Sequence, residues 1–305
     1  MEKEKFIAYI QYEKRYSSNT VISYQNDLNQ FFAFLQNQYD ISDIQSITYP
    51  LIRSWLVNLM ESNISARSVN RKMTTLKSFY KYLVREGIVD QNPMRKITTP
   101  KTSKRLPVFV EKEKMDLLLD TIDFGNGFPA CRDHLVIEML YATGMRLSEL
   151  VNLKEHDVDF HNSTLKVLGK RNKERLIPFT DKFGKMLKIY LAEKMNFFAE
   201  MRQNVSQNPA GSSSAPLFIS DSGRNIYPKM VYRIVTKYLA KVTTLEKKSP
   251  HILRHTFATH LLNNGAELNA VKELLGHANL SATQIYTHNT IEKLKKIYKQ
   301  AHPKA

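Results

Sequence analysis

The segment Pro250–His260 holds the densest cluster of cationic and imidazole side chains in the sequence, within Pro-His-Ile-Leu-Arg-His-Thr-Phe-Ala-Thr-His. His251 and Arg254 are three residues apart, so on a helix they share a face. The predicted helix is otherwise largely apolar, and an unpaired guanidinium there is costly. We therefore expect Arg254 either to pair with a carboxylate or to face an anionic ligand.

Arg146 raises the same two alternatives in a second segment. It follows Thr143-Gly144 and begins a short predicted helix that contains Glu149. A guanidinium is always charged and its planar fork matches phosphate oxygens, so Arg146 is a second candidate phosphate ligand. Glu149 lies three residues on and is expected either to orient Arg146 or to be its whole pairing partner.

Other common chemistries find little support in the sequence. It has neither the glycine-rich loop of nucleotidases nor a dinucleotide fingerprint. His251 and His255 have a spacing that can bind zinc, but Arg254 between them repels a cation, so we expect no metal and no cofactor. Cys131 is the single cysteine and cannot form an internal disulfide, which favours a cytoplasmic location.

The composition points to a polyanionic partner. The 305 residues include 45 Lys and Arg against 29 Asp and Glu, a net charge of +16. Such an excess indicates nucleic acid, although a merely solvated basic surface is the alternative. We expect no membrane association, because no apolar run approaches the roughly 18 residues that a spanning helix needs.

The first 98 residues show helical spacing of apolar residues. One stripe follows the capping segment Ser17–Asn19 and consists of Val21, Tyr24, Leu28, Phe31 and Leu35. A second precedes Gly87 and consists of Val69, Met73, Leu76, Tyr80 and Leu83. Basic residues lie roughly opposite the second stripe, and we predict that they contact DNA phosphates, a solvated face being the alternative: Arg67, Arg71, Lys77 and Lys81.

The remainder mixes helices with short strands. Two strands are predicted on either side of the turn 169–173, with another near Val158, and a proline-containing basic stretch at 99–107 reads as a linker. We therefore predict an α-helical domain over residues 1–98 and an α+β domain with a small antiparallel sheet over residues 108–305.

Four segments, in this order and spacing, resemble the motifs of the tyrosine recombinases (phage integrase family), and within it the Xer-type bacterial recombinases. They are Ala142–Leu150, the lysine hairpin Val167–Pro178, Ser249–His260, and Leu274–His288. The resemblance covers nearly the whole chain and implies that residues 1–98 form a SAM-like helical core-binding domain that clamps DNA. One departure is Arg171, where relatives usually have glycine, which affects the expected turn around Lys170.

The resemblance implies a reaction and a role for each matching residue. Tyr286 attacks a DNA phosphate, which gives a 3′-phosphotyrosine link and a free 5′-hydroxyl without metal or ATP. Arg146, Arg254 and His277 offset charge on the phosphate oxygens. Lys170 protonates the leaving oxygen, with Lys173 as the next candidate, and His251 helps to handle the tyrosine proton. Glu149 is expected to contact and orient these catalytic residues rather than the DNA.

The resemblance also implies partners. Four protomers, either identical or shared with a second recombinase, act on two double-stranded DNA sites, and a septal DNA translocase activates the resolution of chromosome dimers. A C-terminal helix over residues 290–300 is expected to dock on a neighbouring protomer through Ile291, Leu294, Ile297 and Tyr298. The alternative is that it packs on its own domain.

Three other functions remain open at this point. A phage or transposon integrase shares the chemistry. A type IB topoisomerase uses the same residues but acts alone. A non-catalytic DNA-binding regulator needs only the basic surface.

Overall fold

The chain consists of two compact units. In the computed structural model, residues 2–102, 108–169, 173–204, 215–276 and 297–304 are described. The units span Met1–Arg105 and Leu106–Ala305, with their boundary inside the segment 99–107 predicted as a linker, of which residues 103–107 lie outside the described part. Across the described ranges, no helix is both long and apolar enough to cross a membrane.

The first unit is helical, as predicted. Its elements are α1 (Glu2–Ala8), which runs into a π-helical turn (Tyr9–Glu13), α2 (Ser18–Tyr39), α3 (Tyr49–Glu61), α4 (Ala66–Arg85) and a 3₁₀ turn (Pro93–Lys96). The Ser17 hydroxyl accepts a hydrogen bond from the Thr20 amide and so caps α2. Helix α4 ends at Arg85, and Gly87 follows with a φ of +68°.

The core of this unit forms where the apolar stripes of α2 and α4 meet. Leu28, Phe31 and Leu35 from α2 are fully buried. Every member of the predicted α4 stripe is buried too: Val69, Met73, Leu76, Tyr80 and Leu83. Trp55 from α3 meets the Phe31 ring edge-on at 5.0 Å. These contacts confirm that apolar residues at helical spacing predicted the buried faces of these helices.

The second unit combines helices with one small sheet. Its helices are α5 (Lys112–Asp120), α6 (Gly127–Thr143), α7 (Leu147–Asn152), α8 (Asp181–Asn204), α9 (Pro228–Val242), α10 (Pro250–Asn263) and α11 (Leu268–Leu275). A 3₁₀ turn covers Glu155–Asp157. The sequence pattern did not predict α8 or α9, and α8 packs against α6.

The sheet is antiparallel in the order β1 (Val158–Asp159), β2 (Thr164–Leu168) and β3 (Glu174–Pro178). Leu165 on β2 pairs with Ile177 on β3, and both are fully buried. The Gly169 amide donates to the Lys173 carbonyl at 2.7 Å and closes the hairpin. The predicted small antiparallel sheet is therefore confirmed.

Helix α6 lies at the centre of this unit, because most of its residues are buried, including the charged residues Arg132, Asp133 and Glu138. Gly144 ends it with a φ of +58°, and a Cβ there would lie 2.3 Å from Cδ1 of Phe257 on α10. Only glycine meets both conditions, the left-handed backbone and the close packing. This tight junction determines where the chain enters the segment that carries Arg146.

The described C-terminal segment packs within its own unit. Residues 297–301 are helical, and Tyr298 and Ala301 are buried in an apolar cluster with Phe257 and Leu261 of α10. Tyr298 therefore packs on its own domain, which was the alternative to docking on a neighbouring protomer. Residues 290–296, with Ile291 and Leu294, lie outside the described part, so docking of the predicted helix on a neighbouring protomer stays a prediction.

Candidate active site

Arg146 lies at the N-terminal cap of α7, where Glu149 holds it at two points. The Arg146 amide donates to Oε2 of Glu149 at 2.7 Å, and Nη1 donates to Oε1 at 2.8 Å. Nη2 also donates to the Gly276 carbonyl at 3.2 Å. The side chain remains about a third exposed (32%), so its other N–H groups can reach a ligand.

Glu149 is shared between two arginines. Arg175 on β3 donates to both of its carboxylate oxygens, at 2.9 and 2.8 Å, and both side chains are almost completely buried. Burial by itself raises the pKa of Glu149, but the hydrogen bonds and charge of Arg175, with those of Arg146, outweigh it and lower the pKa from its usual value. Glu149 therefore stays ionised and rigidly held.

Arg254, on α10, is bonded to the backbone rather than to a carboxylate. Nη1 donates to the Gly144 carbonyl at 2.6 Å and Nη2 to the Leu275 carbonyl at 2.7 Å. Burial, together with repulsion from Arg146 and Arg175, lowers the pKa of its guanidinium to about 10. Of the two predicted alternatives, a carboxylate partner is not observed among the described residues, and an anionic ligand of Arg254 stays a prediction.

Three consecutive carbonyls at the end of α11 each accept a hydrogen bond from a different arginine. Arg175 Nε bonds to Leu274 at 2.9 Å, and Arg254 and Arg146 bond to Leu275 and Gly276 as described above. The last carbonyls of a helix have no donor within the helix, so guanidinium groups satisfy them well. This arrangement joins α7, β3 and α10 to one point of the backbone, and it carries three positive charges against the one negative charge of Glu149.

The remaining predicted catalytic residues have different outcomes. His251 is exposed on the first turn of α10, one turn before Arg254, and His255 is also exposed. Lys170, His277 and Tyr286 lie outside the described residues, as does Arg171. Lys173, the second candidate acid, is exposed immediately before β3. Within the described ranges, no group of three or more His, Cys, Asp and Glu side chains could hold a metal ion.

Sequence reasoning missed Arg175 as part of this site. Arg175 precedes the buried Ile177 by two residues, so strand alternation turns both side chains inward. A charged residue at an inward position of a strand needs a buried partner. That pattern was a usable signal, although it does not identify Glu149 as the partner.

The basic face of α4 is exposed where the sequence predicted it. Arg67, Lys77 and Lys81 are exposed along one side of the helix. Arg71 is half exposed but bonds to the buried carboxylate of Asp27 on α2, at 2.5 and 2.8 Å. Part of the charge of Arg71 is thus compensated within the unit, and contact of this face with DNA stays a prediction.

Comparisons with known proteins identify the family to which the chain belongs. Residues 109–293 match the model of the phage integrase family, and residues 4–87 match the N-terminal SAM-like domain of phage integrases. Tyrosine recombinase XerC of Oceanobacillus iheyensis is 41% identical over 99% of this chain and 96% of its own. Tyrosine recombinase XerC of Chlorobaculum tepidum is 36% identical over 99% of this chain and 94% of its own. The chain therefore belongs to the phage integrase family, the tyrosine recombinases.

Solved structures share the fold. XerH recombinase, in a post-cleavage complex with palindromic difH DNA, gives a TM-score of 0.69 at 20% identity, over 99% of this chain and 92% of that one. The Tn1549 transposon integrase bound to circular intermediate DNA gives 0.66 at 21% identity, over 96% of this chain and 98% of that one. The predicted fold class is confirmed, and family membership makes the protein a DNA recombinase of the tyrosine type.

Proposed function

We propose that this protein cuts and rejoins double-stranded DNA at a specific site through a 3′-phosphotyrosine intermediate. The observation that carries the proposal is the uncompensated charge on Arg254, whose donors meet only backbone carbonyls among the described residues. Burial, and after it the neighbouring cations, lower the pKa of Arg254. A bound phosphate relieves the repulsion between the cations, since it places negative charge between the guanidinium groups.

Arg146 and Arg254 are the proposed ligands of the non-bridging phosphate oxygens. A guanidinium has five N–H groups. Each of these arginines donates two to the bonds described above, which leaves three for a phosphate. Because their bonds to Glu149 and to backbone fix both groups in advance, they stabilise charge that develops during the reaction without having to reorganise.

The proposed reaction exchanges one phosphoester for another. The Tyr286 oxygen forms a bond to phosphorus as the bond from phosphorus to the 5′-oxygen breaks. His251 accepts or relays the tyrosine proton, since a phenol is mostly protonated at neutral pH. Lys170 donates a proton to the leaving 5′-oxygen, and His277 donates a hydrogen bond to the phosphate. Rejoining is the reverse reaction with a new 5′-hydroxyl, so no nucleotide is consumed.

The wider role follows from the relatives. Both relatives described above are named tyrosine recombinase XerC. We propose that this protein works in the cytoplasm as a tetramer, with its own kind or with a second recombinase. We propose the resolution of chromosome dimers at cell division, with a septal DNA translocase as activator. Integration of a mobile element is the second candidate, because a transposon integrase shares the fold.

Covalent trapping tests the proposed reaction. Purified protein incubated with genomic DNA should form a covalent adduct at one recurrent sequence, which sequencing of the trapped fragments identifies. A nicked duplex carrying that sequence should then give the adduct in excess EDTA and without nucleotide. Tyr286→Phe should give none. An adduct that requires added magnesium or zinc, or one that persists in Tyr286→Phe, contradicts the proposal.

A further inference from the structure

Arg175 occupies the centre of the candidate site but cannot itself contact DNA. Its side chain is 4% exposed. Three of its N–H groups are engaged, two with Glu149 and one with the Leu274 carbonyl. Any effect of Arg175 on the reaction must therefore pass through the groups that it touches.

The first such group is Glu149, which in turn holds Arg146. If Arg175 were neutral, Glu149 would have Arg146 as its only ion-pair partner among the described residues. The charge on Arg146 would then be fully offset, because the set Arg146, Glu149 and Arg175 would fall from a net +1 to zero. Arg175 thus leaves Arg146 with positive charge available to a ligand. The Glu149 carboxylate, held by two hydrogen bonds from Arg175, keeps Arg146 in one orientation.

The second group is the backbone on either side. Gly276 has a φ of +64°, and a Cβ there would lie 3.1 Å from Cδ of Arg175. At Gly169, a Cβ would lie 3.6 Å from both Nη1 of Arg175 and Oε1 of Glu149. Gly169 and Gly276 precede Lys170 and His277 in the sequence, so Arg175 packs beside the backbone leading to two of the proposed catalytic residues.

We propose that Arg175 is a positioning residue for DNA cleavage, which holds Arg146 through Glu149 and keeps its charge available to the scissile phosphate. The inference rests on the proposed function. A positioning role differs from a structural role because loss of Arg175 should slow DNA cleavage by an amount that depends on the charge of the scissile phosphate. A purely structural residue affects the amount of folded protein and is indifferent to that charge.

The test compares Arg175→Lys with Arg132→Lys. Arg132 is a matched control, because it is 3% exposed and bonds to Asp133 and Asp221, away from the arginines of the site. On the nicked duplex, Arg175→Lys should form the adduct about 10–100-fold more slowly than the unmodified protein, by analogy with the loss of residues that orient metal ligands. Arg132→Lys should stay within about threefold once the folded fraction, measured by thermal denaturation, is taken into account.

A second substrate distinguishes the mechanism. In the same duplex, a methylphosphonate replaces the scissile phosphate and removes its negative charge. This test uses Arg175→Gln, which removes the positive charge of Arg175. The ratio of the Arg175→Gln rate to that of the unmodified protein should rise to within about threefold of one on this neutral substrate, since it needs less positive charge on Arg146. Arg146→Gln should show the same recovery.

Three outcomes are informative. An equal deficit of Arg175→Gln on both substrates, or a deficit of Arg175→Lys that Arg132→Lys matches, overturns the inference. If the Arg175 variants do not fold, Glu149→Asp shortens the carboxylate without changing its charge and must also slow adduct formation on the ordinary substrate; a normal rate then overturns the inference. Failure of the unmodified protein to form any adduct contradicts the proposed function instead, which keeps the two failures apart.

Discussion

Tyr298 donates a 2.9 Å hydrogen bond to the carbonyl of Ala142, four residues before Arg146 in the sequence. The His302 ring stacks on Tyr298 with 4.8 Å between ring centroids and an angle of 12°. The C-terminal segment therefore supports the end of α6, the helix that leads into the arginine-bearing segment. The stability of the candidate site and the placement of the C-terminus are linked through this contact.

Loss of that hydrogen bond should destabilise the protein measurably. Tyr298→Phe keeps the ring but leaves the buried Ala142 carbonyl without this donor, which should lower the free energy of unfolding by about 1–3 kcal/mol. Tyr232→Phe is the matched control, because Tyr232 is about half exposed on α9 and should change the value by less than about 0.5 kcal/mol. Urea denaturation measures both, and equal stability of the two variants contradicts the prediction.

His302 should make the stability depend on pH below neutrality. Burial lowers its pKa to about 4, against 6.5 for the ordinary group. Between these values the unfolded chain binds a proton that the folded chain does not, so stability falls as pH decreases through this window. The loss between pH 7 and pH 5 should be about 2 kcal/mol.

The control separates this group from others that titrate nearby. Burial raises the pKa of Glu138 to about 7, which opposes the trend of His302, so only a difference between variants is diagnostic. His302→Gln should remove about 2 kcal/mol of the pH dependence measured by urea denaturation. His255→Gln, at an exposed position, should leave it unchanged. The same pH dependence in both variants would rule out His302 as the cause.

The basic face of α4 should contribute to DNA affinity through charge alone. Lys81→Ala should lower the affinity and reduce the slope of log affinity against log salt by about one. Arg71→Ala should also reduce the slope, and in addition it should destabilise the first unit, because Asp27 loses a bidentate partner. Thr74→Ala alters the same exposed face without a change of charge and should preserve the slope. An unchanged slope in both basic variants would indicate a solvated face.

Nucleophile and general acid should respond differently to one sulfur atom. Tyr286→Phe should abolish the covalent adduct and leave DNA binding nearly intact. Lys170→Ala should also stop cleavage, because the 5′-alkoxide leaves poorly without a proton. Sulfur in place of the bridging 5′-oxygen gives a thiolate leaving group that needs no proton. Lys170→Ala should therefore recover on that DNA, whereas Tyr286→Phe should remain inactive.

Lys173→Ala is the matched control for this experiment, since Lys173 is exposed in the same hairpin. It should cleave ordinary DNA at nearly the normal rate. If Lys173→Ala is inactive and recovers with sulfur while Lys170→Ala does not, the general acid is Lys173 and the turn containing Arg171 differs from that of the relatives.

The sequence alone was sufficient for features that depend on near neighbours. The Ser17 cap, the buried stripe of α4 and the left-handed glycines at 87, 144 and 276 all follow from local backbone preference and helical spacing. Strand alternation on either side of residues 169–173 likewise predicted the hairpin. The order of the four motifs was enough to identify the family, because it depends only on position along the chain.

Only the tertiary structure decided which polar groups meet. Arg175 bonds to Glu149, 26 residues away, and to Leu274, 99 residues away. Arg71 was predicted from its helical face to contact DNA, yet it also bonds to Asp27, 44 residues earlier. A guanidinium on a long side chain can satisfy its donors with many acceptors. The packing of distant elements determines which of these acceptors the guanidinium meets, and the local spacing of residues along the chain does not predict it.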